Sequence, residues 1–157
     1  MNSEPRKPSL ETSMGAIVAS TEISRSPHEV FAYAVDPANL AKWQENVVSA
    51  THDGVLGPGA RVVTVRRLGK REQTMTMEMT TYDPPQGWSM RGVDGPVRPL
   101  VNTRIEPLDD GARSRVTVEL DFEGRGIGKV LVPLLVRPET RKGLPRNLEL
   151  LRGNLEG

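Results

Sequence analysis

Alternation of apolar and polar residues runs through most of the chain and predicts β-strands, because successive strand side chains point to opposite faces of a sheet. In the clearest run, Met75, Met77 and Met79 alternate with threonines and Glu78. Turn residues, and no helical pattern, separate most of the runs, which favours an antiparallel sheet. The predicted strands are Gly15–Ser24, Val47–His52, Ala60–Leu68, Arg71–Tyr82, Trp88–Val93, Val97–Glu106 and Arg113–Glu123.

Two short helices are predicted between the first two strands. Ser26 is a good N-cap and Pro27 fits the first helical position, so a helix of about two turns should run to Val35. The Asp36-Pro37 step repeats this start signal, and it predicts a second short helix over Ala38–Trp43. Together the two helices should form a V-shaped insertion.

The apolar period changes to that of a helix after the last strand, which predicts a long C-terminal helix. Pro133, Pro138 and Pro145, together with Gly143, predict at least one kink or break in it. The apolar residues at helical spacing fall into two sets, Ile127, Val130, Leu131, Leu134 and Leu135, then Leu144, Leu148, Leu151 and Leu155.

Composition limits the classes of function. A chain of 157 residues fits one domain, and its net charge of +1 provides no overall field for nucleic acid, so no nucleic-acid partner is expected. The absence of cysteine excludes disulfides, a thiolate nucleophile and Cys-ligated zinc. Residues 1–13 are predicted to be a disordered leader and 14–157 the domain. No apolar run is long enough for stable membrane insertion, and a cytoplasmic location is expected.

The order of elements and several short motifs resemble the START-like (SRPBCC) superfamily, most closely its polyketide cyclase/dehydrase and lipid-transport branch. The motifs are Ser26-Pro27-His28-Glu29-Val30-Phe31, Asp36-Pro37, Trp43, Gly57-Pro58-Gly59, Tyr82-Asp83-Pro84-Pro85, and the helix end from Leu144-Pro145-Arg146-Asn147-Leu148 to Leu155. The resemblance implies an α+β helix-grip fold, in which a curved antiparallel sheet of about seven strands packs around the long C-terminal helix. It also implies a deep pocket between them for a lipid-like or polycyclic ligand.

The methionine stripe has two interpretations. Buried methionine is flexible and polarisable, so the stripe suits either an ordinary core or the wall of an adaptable cavity. With the pocket that the resemblance implies, we favour the cavity wall. The expected ligand-binding residues are Trp43, Met75, Met77, Met79, Trp88, Met90, Thr103, Val118, Leu120, Leu131 and Leu135.

Few residues are candidates for chemistry. Glu119 and Asp121 alternate with apolar residues of the last strand, so both should face solvent, away from any charged neighbour. His52 is the one candidate general base, and its place at a strand end argues against catalysis. Neither metal nor other cofactor is expected, because the two histidines have no acidic cluster at ligand spacing.

Arginine is the remaining candidate type. Arg66 and Arg67 are adjacent in a strand, so one of them should face inward unless a bulge intervenes, and Arg104 poses the same question. An inward arginine would be a natural anchor for a carboxylate or phenolate on the ligand. A solvated outer face is the alternative for all three.

Three functions remain open from the sequence. The first is a module that binds an apolar small molecule and acts as a monomer or homodimer. The second is a lyase of the polyketide cyclase/aromatase kind, in which the same cavity folds a reactive substrate. The third is a regulatory or stress-related interaction protein. The apolar inward faces favour binding.

Overall fold

The computed structural model describes residues 15–157, and the predicted disordered leader over 1–13 lies outside them. Seven strands within this range form one antiparallel sheet in the order β1-β7-β6-β5-β4-β3-β2. This arrangement, with a long C-terminal helix, confirms the predicted α+β helix-grip fold. The strands are β1 Ile17–Ile23, β2 Val47–His52, β3 Arg61–Leu68, β4 Arg71–Asp83, β5 Gly87–Gly92, β6 Val97–Leu108 and β7 Arg113–Gly124.

The hairpin between β6 and β7 is antiparallel, as expected for strands that are separated by turn residues. Val101 lies opposite Leu120, and the pairing continues to Leu108 opposite Arg113. A short 3₁₀ turn, Asp109–Gly111, joins the strands, and all three of its residues have positive φ. Aspartate and glycine tolerate this left-handed conformation better than most residues, so this turn sequence suits the hairpin.

The two-helix insertion forms as predicted, with one difference. Helix α1, Pro27–Val35, begins with a capping box in which the Glu29 backbone N–H donates to Ser26 Oγ at 3.3 Å. The Ser26 backbone N–H donates in return to Glu29 Oε1 at 3.1 Å. The second helix is divided into a 3₁₀ turn, Pro37–Asn39, and helix α2, Leu40–Trp43.

The C-terminal helix contains the predicted irregularity as a π-helical turn. Helix α3, Gly128–Leu131, continues into the π turn Val132–Val136 and then into α4, Arg137–Glu156. Pro133 lies in the π turn, whereas Pro145 is accommodated inside α4. The wider π turn rotates the second half of the helix relative to the first. The predicted apolar face is therefore buried in only one of the two halves.

The second half of that face is the one that packs as expected. Leu144, Leu148 and Leu151 are buried against the main core, which also includes α1 and the centre of the sheet. Ahead of the π turn and within it, Ile127, Val130 and Leu134 are instead 55–74% exposed. Val132 and Val136 are the residues buried there, against Met75 and Val97.

Candidate functional site: a cavity between sheet and helix

A cavity of about 380 Å³ lies between the concave face of the sheet and α4. Its apolar wall comes from alternating residues of β3 to β7 and from the two-helix insertion, because strand alternation turns every second side chain inward. Several of these apolar residues, among them Met90, Val101 and Leu120, are only partly buried. Their residual exposed surface faces a space that protein atoms do not fill.

Nine of the eleven residues expected from the sequence lie on this wall. They are Trp43, Met75, Met77, Met79, Trp88, Met90, Thr103, Val118 and Leu120. Leu131 and Leu135 do not line it. Leu131 packs instead against the smaller cluster around Met75 and Val132, and Leu135 lies near Gly69.

The π turn explains the misplacement of these two leucines. The sequence prediction assumed a regular helix of 3.6 residues per turn through Pro133. The observed turn is wider, and α4 therefore faces the cavity with a different set of residues. These are Glu139, Thr140, Gly143, Leu144, Arg146 and Asn147, and Val136 of the π turn lines the cavity beside them. A proline within an apolar helix was the only sequence signal for this change.

Arg66 is the arginine whose side chain points into the cavity. It shares the concave face of β3 with Val62 and Thr64, lines the cavity and is half-buried. Its neighbour Arg67 is exposed at the rim of the cavity. Arg104 faces the opposite, convex side of the sheet, where its Nη1 lies 3.3 Å from Glu119 Oε1.

The guanidinium of Arg66 is held by neutral groups. Its Nε donates to Thr64 Oγ1 at 3.2 Å, and its Nη1 donates to Gln44 Oε1 at 3.1 Å and to Asn46 Oδ1 at 3.3 Å. Within residues 15–157 no carboxylate lies within ion-pair distance of it, and its Nη2 has no hydrogen-bond partner. Burial lowers the pKa of Arg66 to about 10, so the side chain remains a cation at neutral pH.

The expectation that Glu119 faces solvent without a charged neighbour was wrong. It lies on the convex face, as alternation requires, but is only 8% exposed. Asn102 Nδ2 donates to its Oε1 at 3.1 Å, and Ser89 Oγ donates to Asn102 Oδ1 at 2.9 Å. With Arg104 as its ion-pair partner, Glu119 belongs to a cross-strand polar network that is separated from the cavity by the sheet.

Asp121 was also expected to face solvent without a charged neighbour, and it does not. Its carboxylate lies 3.0 Å from Nη1 of Arg137, and both side chains are mostly buried. The ion pair joins β7 to the first residue of α4. Asp121 therefore fixes the start of α4 against the sheet.

The other titratable groups near the cavity lie at its rim. Glu45 and Glu139 line it but are exposed, and Glu45 pairs with Arg146 across the opening at 3.1 Å. His52 is exposed at the end of β2 and does not line the cavity. The described wall therefore contains no buried His, Asp or Glu.

Trp43 also contributes an unpaired donor to the described part of the wall. The indole N–H of Trp43 is buried and has no hydrogen-bond acceptor among residues 15–157. The ring itself packs in the main core, so its contribution there is apolar. The ring of Trp88 makes an edge-to-face contact with the ring of Phe31, at a centroid distance of 5.4 Å.

Neither a metal centre nor a transmembrane helix is found in the described part of the chain. No group of three or more His, Asp or Glu in residues 15–157 is placed to hold a metal ion. None of the helices in this range combines the length and apolar character needed to cross a membrane.

Several solved structures are similar to this chain in fold. A protein from Thermus thermophilus matches with a TM-score of 0.73 at 19% identity, over 89% of this chain and 96% of that one. A START superfamily protein from Mycobacterium smegmatis matches with a TM-score of 0.73 at 13% identity, over 90% and 97%. The Zhui aromatase/cyclase from a Streptomyces species matches with a TM-score of 0.69 at 18% identity, over 90% and 93%. At these identities the similarity concerns the fold alone.

Sequence comparison identifies the family. No curated protein matches the chain in sequence. A family model does match, over residues 14–156, and this span includes every strand and helix described above. The chain therefore belongs to the family described as polyketide cyclase/dehydrase and lipid transport.

Proposed function

We propose that this protein binds a hydrophobic small molecule, lipid-like or polyketide-like and aromatic, in the cavity between the sheet and α4. The observation that carries the proposal is a cavity of about 380 Å³ with a mainly apolar wall and an inward-facing cation, Arg66, that has no carboxylate partner among residues 15–157. Ligand pockets have volumes of about 300–1,000 Å³ and combine apolar walls with a few polar groups that set orientation. The sequence, which contains no cysteine, supports a cytoplasmic role for this binding.

The wall supports an adaptable, apolar ligand. Met75, Met77 and Met79 lie side by side along β4, and thioether side chains repack around ligands of different shape at low cost. Trp88 and Met90 extend the apolar surface onto β5. A ligand with aliphatic or fused aromatic carbon would cover these groups and remove them from water.

Arg66 supports a ligand that also carries an oxygen-bearing group. A guanidinium has five N–H donors, and the contacts of Arg66 engage only its Nε and Nη1. A carboxylate, phenolate or carbonyl oxygen would be an acceptor for Nη2. Such charge-assisted hydrogen bonds contribute about 1.5–3 kcal/mol.

A cyclase-type lyase is the second candidate, and Arg66 is the observation that favours it. A cation beside a ligand carbonyl would stabilise the negative charge that develops on an enolate oxygen. General acid–base catalysis also needs a side chain that exchanges a proton near neutral pH. The acids on the described wall are the exposed Glu45 and Glu139, and neither histidine lines it, so binding is favoured over turnover.

Cavity filling tests the binding proposal. The neutral fluorescent probe N-phenyl-1-naphthylamine is titrated against the parent protein and against Met77→Trp, which places an indole in the cavity. Val63→Trp is the matched control, because Val63 lies next to the cavity residue Val62 but on the convex face, 36% exposed. We expect the parent and the control to bind the probe, and Met77→Trp to bind it about tenfold or more weakly.

The stability of the same variants separates a cavity from a tightly packed core. Overpacking a filled core costs about 1–3 kcal/mol, whereas filling a real cavity leaves the free energy of unfolding within about 1 kcal/mol. A parent protein that binds no probe, together with a Met77→Trp variant that loses stability by the larger amount, would contradict the proposal.

A further inference from the structure

A second cleft, of about 230 Å³, lies on the convex face of the sheet, opposite the apolar cavity. Its character differs from that of the cavity, because arginine dominates its wall. Four arginines contribute, from β3, β5, β6 and the residue that follows β7. Its wall includes Arg61, Arg91, Arg98, Arg125, Glu123 and Leu100.

Strand register brings these arginines together. Arg61 lies opposite Glu78, and Glu78 lies opposite Arg91 on the next strand. Arg98 lies opposite Glu123. Cross-strand neighbours on one face have Cβ atoms about 4.5–5.5 Å apart, so the guanidinium groups converge on one region of the surface.

The carboxylates in this region neutralise only half of the positive charge. Both Nε and Nη2 of Arg91 donate to Oε1 of Glu78, at 3.1 and 2.7 Å. Arg125 pairs with Glu123 at 3.4 Å. Four arginines against these two carboxylates leave a local excess of two positive charges.

The excess charge resides on Arg61 and Arg98. Arg61 has no ion-pair or side-chain hydrogen-bond partner within residues 15–157. Among the described residues, Arg98 donates only through Nε, to the Gly95 carbonyl at 3.1 Å. Two guanidinium groups with free donors therefore share one recess.

We propose that this cleft binds a phosphate-type dianion through Arg61 and Arg98. Guanidinium groups match the geometry of phosphate oxygens by paired, charge-assisted hydrogen bonds. The two neighbouring ion pairs of Arg91 and Arg125 are exposed, and such pairs contribute about 0–1 kcal/mol, so these arginines can turn toward an added anion at low cost. The small volume fits one phosphate or diphosphate group, carried either by a soluble molecule or by a lipid headgroup.

Calorimetric titration with inorganic pyrophosphate tests the soluble source. The full-length parent is compared with Arg61→Gln, Arg98→Gln and the double variant. Arg115→Gln is the matched control, because Arg115 is an exposed arginine of β7 that pairs with Glu22, about 26 Å along the strand from Glu123. We expect one saturable site with a Kd below about 1 mM, weakened about tenfold in each single variant and abolished in the double variant. The control should remain within about twofold of the parent.

Vesicles test the lipid source in parallel. Phosphatidylcholine vesicles with and without phosphatidic acid are sedimented with each variant. If Arg61→Gln and Arg98→Gln lose the binding that depends on phosphatidic acid and Arg115→Gln keeps it, the bound anion is a lipid headgroup. The proposal is wrong if neither pyrophosphate nor these vesicles bind, or if Arg115→Gln weakens binding as much as the cleft variants. Binding of the neutral probe to the cavity, unchanged in Arg61→Gln and Arg98→Gln, verifies that these variants are folded.

Discussion

Replacing Arg66 by methionine should make the protein more stable and its cavity less able to hold a polar ligand group. The pKa of Arg66, which burial lowers to about 10, reflects the cost of enclosing its charge. At about 1.36 kcal/mol per pKa unit, this lowering corresponds to a cost on the order of 3 kcal/mol. Methionine has a similar length and carries no charge, so the variant removes this cost.

Part of that gain is offset by lost hydrogen bonds. Gln44 and Asn46 lose a donor, but both reach solvent and can accept from water instead. The buried Thr64 hydroxyl retains its bond to the Met75 carbonyl at 3.4 Å. Subtracting about 1–2 kcal/mol for these changes leaves an expected gain of about 1–2 kcal/mol in the free energy of unfolding.

The pH dependence of this gain has a definite sign. Because the pKa of Arg66 is lower in the folded state, the unfolded chain binds the proton more tightly. The cost is therefore present in full at neutral pH and disappears only as the pH rises above about 10. Between about pH 6 and pH 9 the stability difference between parent and Arg66→Met should stay constant.

Urea denaturation of the ligand-free protein provides the measurement, with Arg67→Met as the matched control at the exposed neighbouring position. A gain of about 1 kcal/mol should also raise Tm by about 2–4 °C in a chain of this size. If Arg66→Met instead loses more than about 1 kcal/mol, Arg66 is a structural link between β3 and the segment around Gln44. This outcome would contradict a ligand-binding role for Arg66.

The remaining predictions concern the helices and the convex face. Gly143→Ala should raise the free energy of unfolding by about 0.5–1 kcal/mol in denaturant titration, because the added methyl group meets no atom within 4 Å and glycine is a poor helix former. Ser26→Ala should lower it by about 1 kcal/mol by removing the capping bond to Glu29, and an unchanged unfolding midpoint would contradict that role. Glu119→Gln should cost about 1 kcal/mol and leave probe affinity unchanged, since the sheet separates it from the cavity. His52→Ala should alter neither the free energy of unfolding nor the probe affinity. If the protein is later found to turn over a substrate, a hundredfold loss of that turnover in His52→Ala would overturn this expectation.

The fold was predictable because several local signals agree. The capping box at Ser26, the Asp-Asp-Gly turn before β7 and strand alternation each specify one part of the same architecture. Alternation also placed the methionines of β4 and Val118 on the cavity wall, since the period of two leaves only two faces to choose from.

The sequence was less informative where tertiary contacts determine the position or the burial of a side chain. The π turn at Val132–Val136 moved Leu131 and Leu135 away from the cavity, and its width does not follow from the proline alone. The burial of Glu119 depends on neighbours from two positions of β6, Asn102 and Arg104, which no local pattern reveals. For the same reason, the choice between Arg66 and Arg67 required the register of β3.

The most direct test of the central claim compares two probes of similar shape and different charge. Neutral N-phenyl-1-naphthylamine and anionic 8-anilinonaphthalene-1-sulfonate are each titrated against the parent, Arg66→Met and Met77→Trp. If the cavity holds apolar ligands and Arg66 anchors an anionic group, the parent should bind both probes and Met77→Trp should weaken both. Arg66→Met should weaken the anionic probe alone, by about tenfold or more. Equal affinity of the parent and Arg66→Met for the sulfonate, with neither probe affected by Met77→Trp, would contradict the account.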